Sequence, residues 1–154
     1  MTAQKGSMMK VSSRPQSLAV LAFLSSALLA PRALATIRTV TTTADSGAGS
    51  LRKAILDSGA GDLIEFDLSS LPYLYRTITL TTGELLVDKN LTISADPLQR
   101  IVVSGGKTSR VFHVAPGVSQ IFGLTVRDGS AQNGAGLYNQ GHLTMVNATV
   151  KENA

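Results

Sequence analysis

The chain has 154 residues, enough for one ordinary domain, and carries 14 Lys/Arg against 10 Asp/Glu, a formal charge of +4. It contains no Cys, which excludes disulfides and thiolate metal sites, and two His, too few for a His-rich metal centre. The surplus charge is local: Lys5, Lys10, Arg14 and Arg32 stand in the first 35 residues, which hold no Asp or Glu, and the rest is balanced. A neutral body offers no electrostatic footprint for DNA or RNA, so nucleic acid is not an expected partner.

Residues 1–35 read as a secretory signal peptide. Lys5, Lys10 and Arg14 make a positive start, and "LAVLAFLSSALLA" (Leu18–Ala30) is an apolar run of the length such leaders use. It falls short of the ~20 residues of a membrane-spanning helix, and Pro31 with Arg32 closes it. "ALA" (Ala33–Ala35) supplies small residues for cleavage before Thr36. The competing reading is an uncleaved N-terminal anchor. Met9, followed by Lys10, is an alternative start to Met1. No membrane span is expected after the leader.

The mature part opens with a strand-like stretch, Ile37–Thr43. A turn, "DSGAG", follows. Ser50 suits a helix N-cap for Leu51–Leu56, with Leu51, Ala54 and Ile55 on one face and Gly59 as C-cap. Everything beyond reads as short strands: Leu63–Leu68, Thr77–Leu80, Glu84–Val87, Asn90–Ser94, Arg100–Gly105 and Val111–Ala115. Gly, Pro, Asp and Asn punctuate them.

Three stretches superpose: "LVDKNLTIS" (Leu86–Ser94), "SQIFGLTVR" (Ser119–Arg127) and "LTMVNATVK" (Leu143–Lys151). The matched sets are Asn90, Gly123 and Asn147; Leu91, Leu124 and Ala148; Thr92, Thr125 and Thr149; and Ile93, Val126 and Val150. Alternation sends Leu and Ile to one face and Thr to the other. Stacked coils then align the apolar residues in a column, each coil burying its neighbour's face. Asn or Gly before the strand suits a sharp corner, because both tolerate left-handed backbone. An Asn there can also hydrogen-bond to the next coil.

These residues resemble a known group. "DSGAGSLRKAI", "IEFDL", "TITLTTGELLVDKNLTISA", "VFHV" and "GLTVRDGSAQNGAGLYNQGHLTMVNATVKEN" look like the exported right-handed parallel β-helix proteins of bacteria. Some of those carry Cys-Ser-Leu-Arg-Glu-Ala at the entry, where this chain has Gly49-Ser50-Leu51-Arg52-Lys53-Ala54. "GAGLYN" (Gly134–Asn139) resembles the glycine motifs of polymorphic outer-membrane repeats. The resemblance implies a β-helix whose N-terminal helix caps the first coil, protecting strand edges.

Enzymes of the pectate lyase and polygalacturonase type share that fold, but a fold does not confer an activity. A lyase needs clustered Asp for Ca²⁺ and an Arg base; a hydrolase needs paired carboxylates. Here Asp62, Glu65, Asp67, Glu84, Asp88, Asp96, Asp128 and Glu152 are scattered. Glu65 and Asp67 share a strand face and Asp62 lies on the other. Asp128 sits in "RDGS", a turn dipeptide context. His113 reads as an outward strand residue, His142 begins a strand, and neither has a matched carboxylate in the sequence. "NLT" at Asn90 and "NAT" at Asn147 match the N-glycosylation acceptor, which the repeat register explains without glycans.

The expectation is an all-β right-handed parallel β-helix with a short N-terminal capping helix, signal peptide 1–35 and β-helix domain 36–154, of roughly three to four coils. No catalytic, cofactor-binding or metal site is assigned, and no cofactor. The expected function is an exported surface or extracellular protein, non-catalytic, of adhesive or passenger type. The alternative is a carbohydrate-active β-helix enzyme. Glycans or cell-surface components are the expected partners. Val150 completes a rung without a capping element, so position 154 is not expected to be a natural domain end, and self-association through an open coil edge is expected.

Overall fold

The computed structural model describes residues 34–154. The signal peptide expected over 1–35 therefore lies outside the described residues, save for Leu34 and Ala35, which are exposed. The described residues are mostly short strands, with one helix and two 3₁₀ turns. The strands are β1 (Ile37–Val40), β2 (Leu63–Phe66), β3 (Thr77–Thr79), β4 (Leu85–Val87), β5 (Thr92–Ser94) and β6 (Val102–Ser104). They continue with β7 (Phe112–Val114), β8 (Val118–Phe122), β9 (Thr125–Arg127), β10 (Leu137–Asn139), β11 (His142–Val146) and β12 (Thr149–Lys151). The helix, α1, is Leu51–Asp57.

All pairing is parallel, in three sheets. Sheet A runs β1-β2-β5-β8-β11, sheet B β3-β6-β9-β12 and sheet C β4-β7-β10. Along the chain β1 stands first, in A; β2 to β10 then follow the order A, B, C three times over, and β11 and β12 begin a further passage. The fold is thus all-β, parallel and repeat-like. Three complete circuits, with a partial one at each end, are in keeping with the three to four coils expected. Parallel neighbours cannot be joined by a tight turn. Here the rest of each circuit provides the connection.

The inward columns explain the stability. In sheet A, Ile64, Ile93, Ile121 and Met145 lie in register. In sheet B the column is Ile78, Val103, Val126 and Val150, and in sheet C it is Leu85, Phe112 and Leu137. All but Met145, Val150 and Leu137 are buried. Each such side chain removed from water contributes ~1.5–3 kcal/mol.

One part of the repeat register is corrected. Thr125 and Val126 pair with Thr149 and Val150, as expected from Ser119–Arg127 and Leu143–Lys151. The third stretch does not join them: Thr92 and Ile93 pair with Gln120 and Ile121, in sheet A rather than sheet B. "LTIS" and "LTVR" share a local pattern, corner then strand, that two different sheets use. The circuit mate of Gly123-Leu124-Thr125-Val126 is Arg100-Ile101-Val102-Val103.

The corner follows suit. Gly123, Asn147 and Arg100 all adopt left-handed backbone, with φ of 69°, 51° and 54°. Asn90 does not, although its Oδ1 accepts the Val118 N–H of the next circuit at 2.8 Å.

Helix α1 starts as expected: the Ser50 hydroxyl accepts the Lys53 N–H, and Leu51, Ala54 and Ile55 are buried. Its end differs. Ser58, not Gly59, is the C-cap, and its hydroxyl donates to the Ala54 carbonyl at 2.7 Å. α1 packs against β1 and β4, at one end of the stack. At the other end β10, β11 and β12 each pair on one side only, and Val146 and Val150 are exposed. Among the described residues no helix is long and apolar enough to cross a membrane.

Candidate functional site

Apart from Glu65 and Asp96, which line one groove, the acids do not converge. Asp62 is buried, and its carboxylate accepts the Thr36 N–H and the Gly59 N–H, each at 2.8 Å. These two backbone donors hold its pKa below the ordinary carboxylate value. Glu65 and Asp67 point outward, on the face opposite Asp62, as read from the sequence. Asp128 is a turn residue with φ of 52°, and Glu152 repeats it one circuit on with φ of 55°. The Ser104 hydroxyl donates to Asp128 at 3.2 Å and the Arg127 guanidinium lies 3.3 Å away. His142 opens β11 and is exposed. Among the described residues no group of three His, Asp or Glu is placed to hold a metal ion.

A groove of about 460 Å³ lies where sheet A turns into sheet B. Its floor is an outward column, Glu65, Ser94 and Phe122, set by the register of β2, β5 and β8. The 3₁₀ turn Pro97–Gln99 forms one wall. Asp96 starts that turn by accepting the Leu98 N–H at 2.9 Å, and Gln99 donates to the Phe66 carbonyl at 3.2 Å. Asn147 closes the far end. The groove therefore runs across successive circuits and mixes carboxylates, an amide and an aromatic ring. Such mixed concave surfaces fix polar ligands by a few placed groups over apolar contact.

A second polar array covers sheet C. Outward His113, in β7, places Nδ1 3.0 Å from Glu84 Oε1 and Nε2 3.0 Å from Gln140 Oε1. The other oxygen of Glu84 accepts from Arg110. Arg110 also donates to the Gly134 and Asn133 carbonyls and covers the Tyr138 ring at 4.9 Å. The outward placement of His113 was legible in the sequence. Its lack of a carboxylate partner was not correct, because Glu84 lies 29 residues away and only the stacking of β4 on β7 joins them. Glu84 is shared between Arg110 and His113, one carboxylate oxygen to each. The ladder ties three circuits together.

The residues that sequence reasoning missed are Asp45 and Arg52. Asp45 Oδ1 accepts from Arg52 Nε and Nη2, at 3.1 and 2.7 Å. Its Oδ2 accepts from the backbone and hydroxyl groups of both Thr81 and Thr82. Arg52 also donates to the Gly83 and Glu84 carbonyls, both at 2.7 Å. The hydrogen bonds from Thr82, Arg52 and Thr81 outweigh burial and hold the Asp45 carboxyl well below the usual range. The available signal was the spacing "DSGAGSLR" itself, an acid seven residues before the helix arginine.

Compared with family models, curated proteins and solved structures, the chain matches none.

Proposed function

We propose that this chain is an exported surface or extracellular protein, a right-handed parallel β-helix of adhesive or passenger type, whose partners are glycans or other cell-surface components. The observation that carries this reading is the groove across successive circuits, with Glu65, Ser94 and Phe122 stacked in register along its floor. An extended polymer can lie along such a column and meet a different side chain at each strand. Sugar rings suit such a surface, because an aromatic face covers their C–H groups while carboxylates and amides take their hydroxyls.

Binding of the exported full chain to immobilised polysaccharides tests it. Phe122→Ala is expected to weaken binding by about tenfold, the order of one lost aromatic contact. Thr79→Ala, on exposed sheet B, is expected to leave it unchanged. Failure to bind any polysaccharide or cell surface sinks the reading.

One observation favours a second reading. Glu65 and Asp96 both line the groove, so a carbohydrate-active enzyme is the alternative. Release of reducing or unsaturated sugars from pectin-like polymers, lost in Glu65→Gln, decides for it.

Self-association belongs to the same proposal. Among the described residues β10, β11 and β12 each pair on one side only, beside the half-exposed Val150, an edge that suits pairing with a second copy of this chain. A compact, monodisperse monomer by light scattering refutes this.

A further inference from the structure

Among the described residues the first backbone N–H with a hydrogen-bond partner is that of Thr36. It donates to Asp62 Oδ1 at 2.8 Å, and the Thr36 carbonyl accepts the Leu63 N–H at 3.0 Å. Leu34, by contrast, is 90% exposed, and among the described residues no hydrogen bond engages Leu34 or Ala35. The sequence separately places cleavage between Ala35 and Thr36. Two independent observations thus point to one peptide bond.

We propose that processing at Ala35–Thr36 creates an α-ammonium at Thr36, and that the Asp62 carboxylate receives it and pins the start of β1 to the start of β2. The step balances as a hydrolysis: water adds across the amide, leaving a carboxylate on Ala35 and an ammonium on Thr36. The proposal rests on the export reading above.

Asp62 is suited to this role. Its side chain is only 7% exposed, so water competes weakly for it. Oδ2 is already occupied by the Gly59 N–H, which leaves Oδ1 directed at Thr36. In the unprocessed chain that oxygen receives one neutral amide. After processing it faces a full positive charge with three donors, a stronger pairing. Two cations flank the carboxylate in that state, Thr36 and Arg38, whose Nε stands 3.8 Å from Oδ2. From α1, Lys53 and Asp57 line the adjoining cleft with Arg38, and they pair with each other. Lys89 also lies on this side, reaching the Ile55 carbonyl and pairing with Asp88 at 3.4 Å.

Raising the α-amino pKa stabilises the fold below the ordinary value of ~7.7–8.0, and the contribution is lost as pH rises through the raised value. The experiment uses the full chain expressed in an exporting bacterium. Mass measurement of the exported protein is expected to place its start at Thr36. Its α-amino group is then acylated at about pH 6.5, below the ordinary α-amino value, with an amine-selective reagent, beside Asp62→Asn. The wild-type amine is expected to react about tenfold more slowly, the consequence of a one-unit rise in pKa. Circular dichroism checks that Asp62→Asn keeps the β fold. If that variant does not fold, the wild-type rate is compared instead with a Thr-Ile-Arg peptide, with the same expectation. Equal rates overturn the ion pair. An exported chain beginning elsewhere overturns the processing site while leaving export standing. A chain retained in the cytoplasm with its leader overturns export itself.

Discussion

Replacing Asp45 by Ala removes the acceptor for six hydrogen bonds from Arg52, Thr81 and Thr82. Not all of that is lost. Thr81 and Thr82 are exposed, so their hydroxyl and amide groups can turn to water. The Arg52 guanidinium is only 17% exposed and keeps the Gly83 and Glu84 carbonyls but no counter-charge. Two charge-assisted bonds at ~1.5–3 kcal/mol each, discounted for non-additivity, give a loss of about 3 kcal/mol. For a domain of this size that lowers the thermal midpoint by roughly 12 °C. Asp45→Asn keeps an acceptor and loses the charge, so about half that drop is expected. Because the folded pKa of Asp45 is depressed, its contribution is present above the unfolded value of 3.8 and fades as pH falls below it. The wild type should therefore lose stability below about pH 4 more steeply than Asp45→Asn. Thermal melts by circular dichroism between pH 2 and 7 read all three effects. A midpoint for Asp45→Ala within about 3 °C of wild type at pH 7 refutes the assignment of Asp45 as the clamp of the entry loop.

The column positions give a matched pair. Val126 is fully buried, so Val126→Ala should cost ~2 kcal/mol; Val150, one circuit on and 48% exposed, should cost under ~0.5 kcal/mol. Equal losses in urea unfolding would show that the last circuit is covered in solution. At the corner, Gly123→Ala drives a methyl into the Ala95 carbonyl oxygen at φ 69°, and a loss of ~3 kcal/mol or failure to fold is expected. Asn147→Gly, at the equivalent corner, should change the melting temperature little. On sheet C, Glu84→Gln should lower stability by ~1 kcal/mol, since Arg110 loses its counter-charge at a partly exposed site. A double-mutant cycle with Arg110→Ala that returns no coupling would contradict this.

The sequence by itself determined the kinds of element and their faces. Alternation in "LTIS" and "LTVR" made Leu91, Ile93, Leu124 and Val126 inward, and all four are buried. Ser50 declared the start of α1, and glycine and asparagine marked two corners. These are local matters of φ/ψ and period, so a short window contains them. Tertiary structure alone decided which strand stacks on which. "LTIS" and "LTVR" are alike within their own windows, yet one lies in sheet A and the other in sheet B. What separates them is the register each circuit inherits from the one before, because hydrogen bonds between parallel strands tie residues 23 to 29 positions apart. The same holds for Glu84 beside His113, Asp45 beside Thr82, and Asp62 beside Thr36. Each partnership depends on the length of an intervening circuit, a quantity that no motif of a few residues contains.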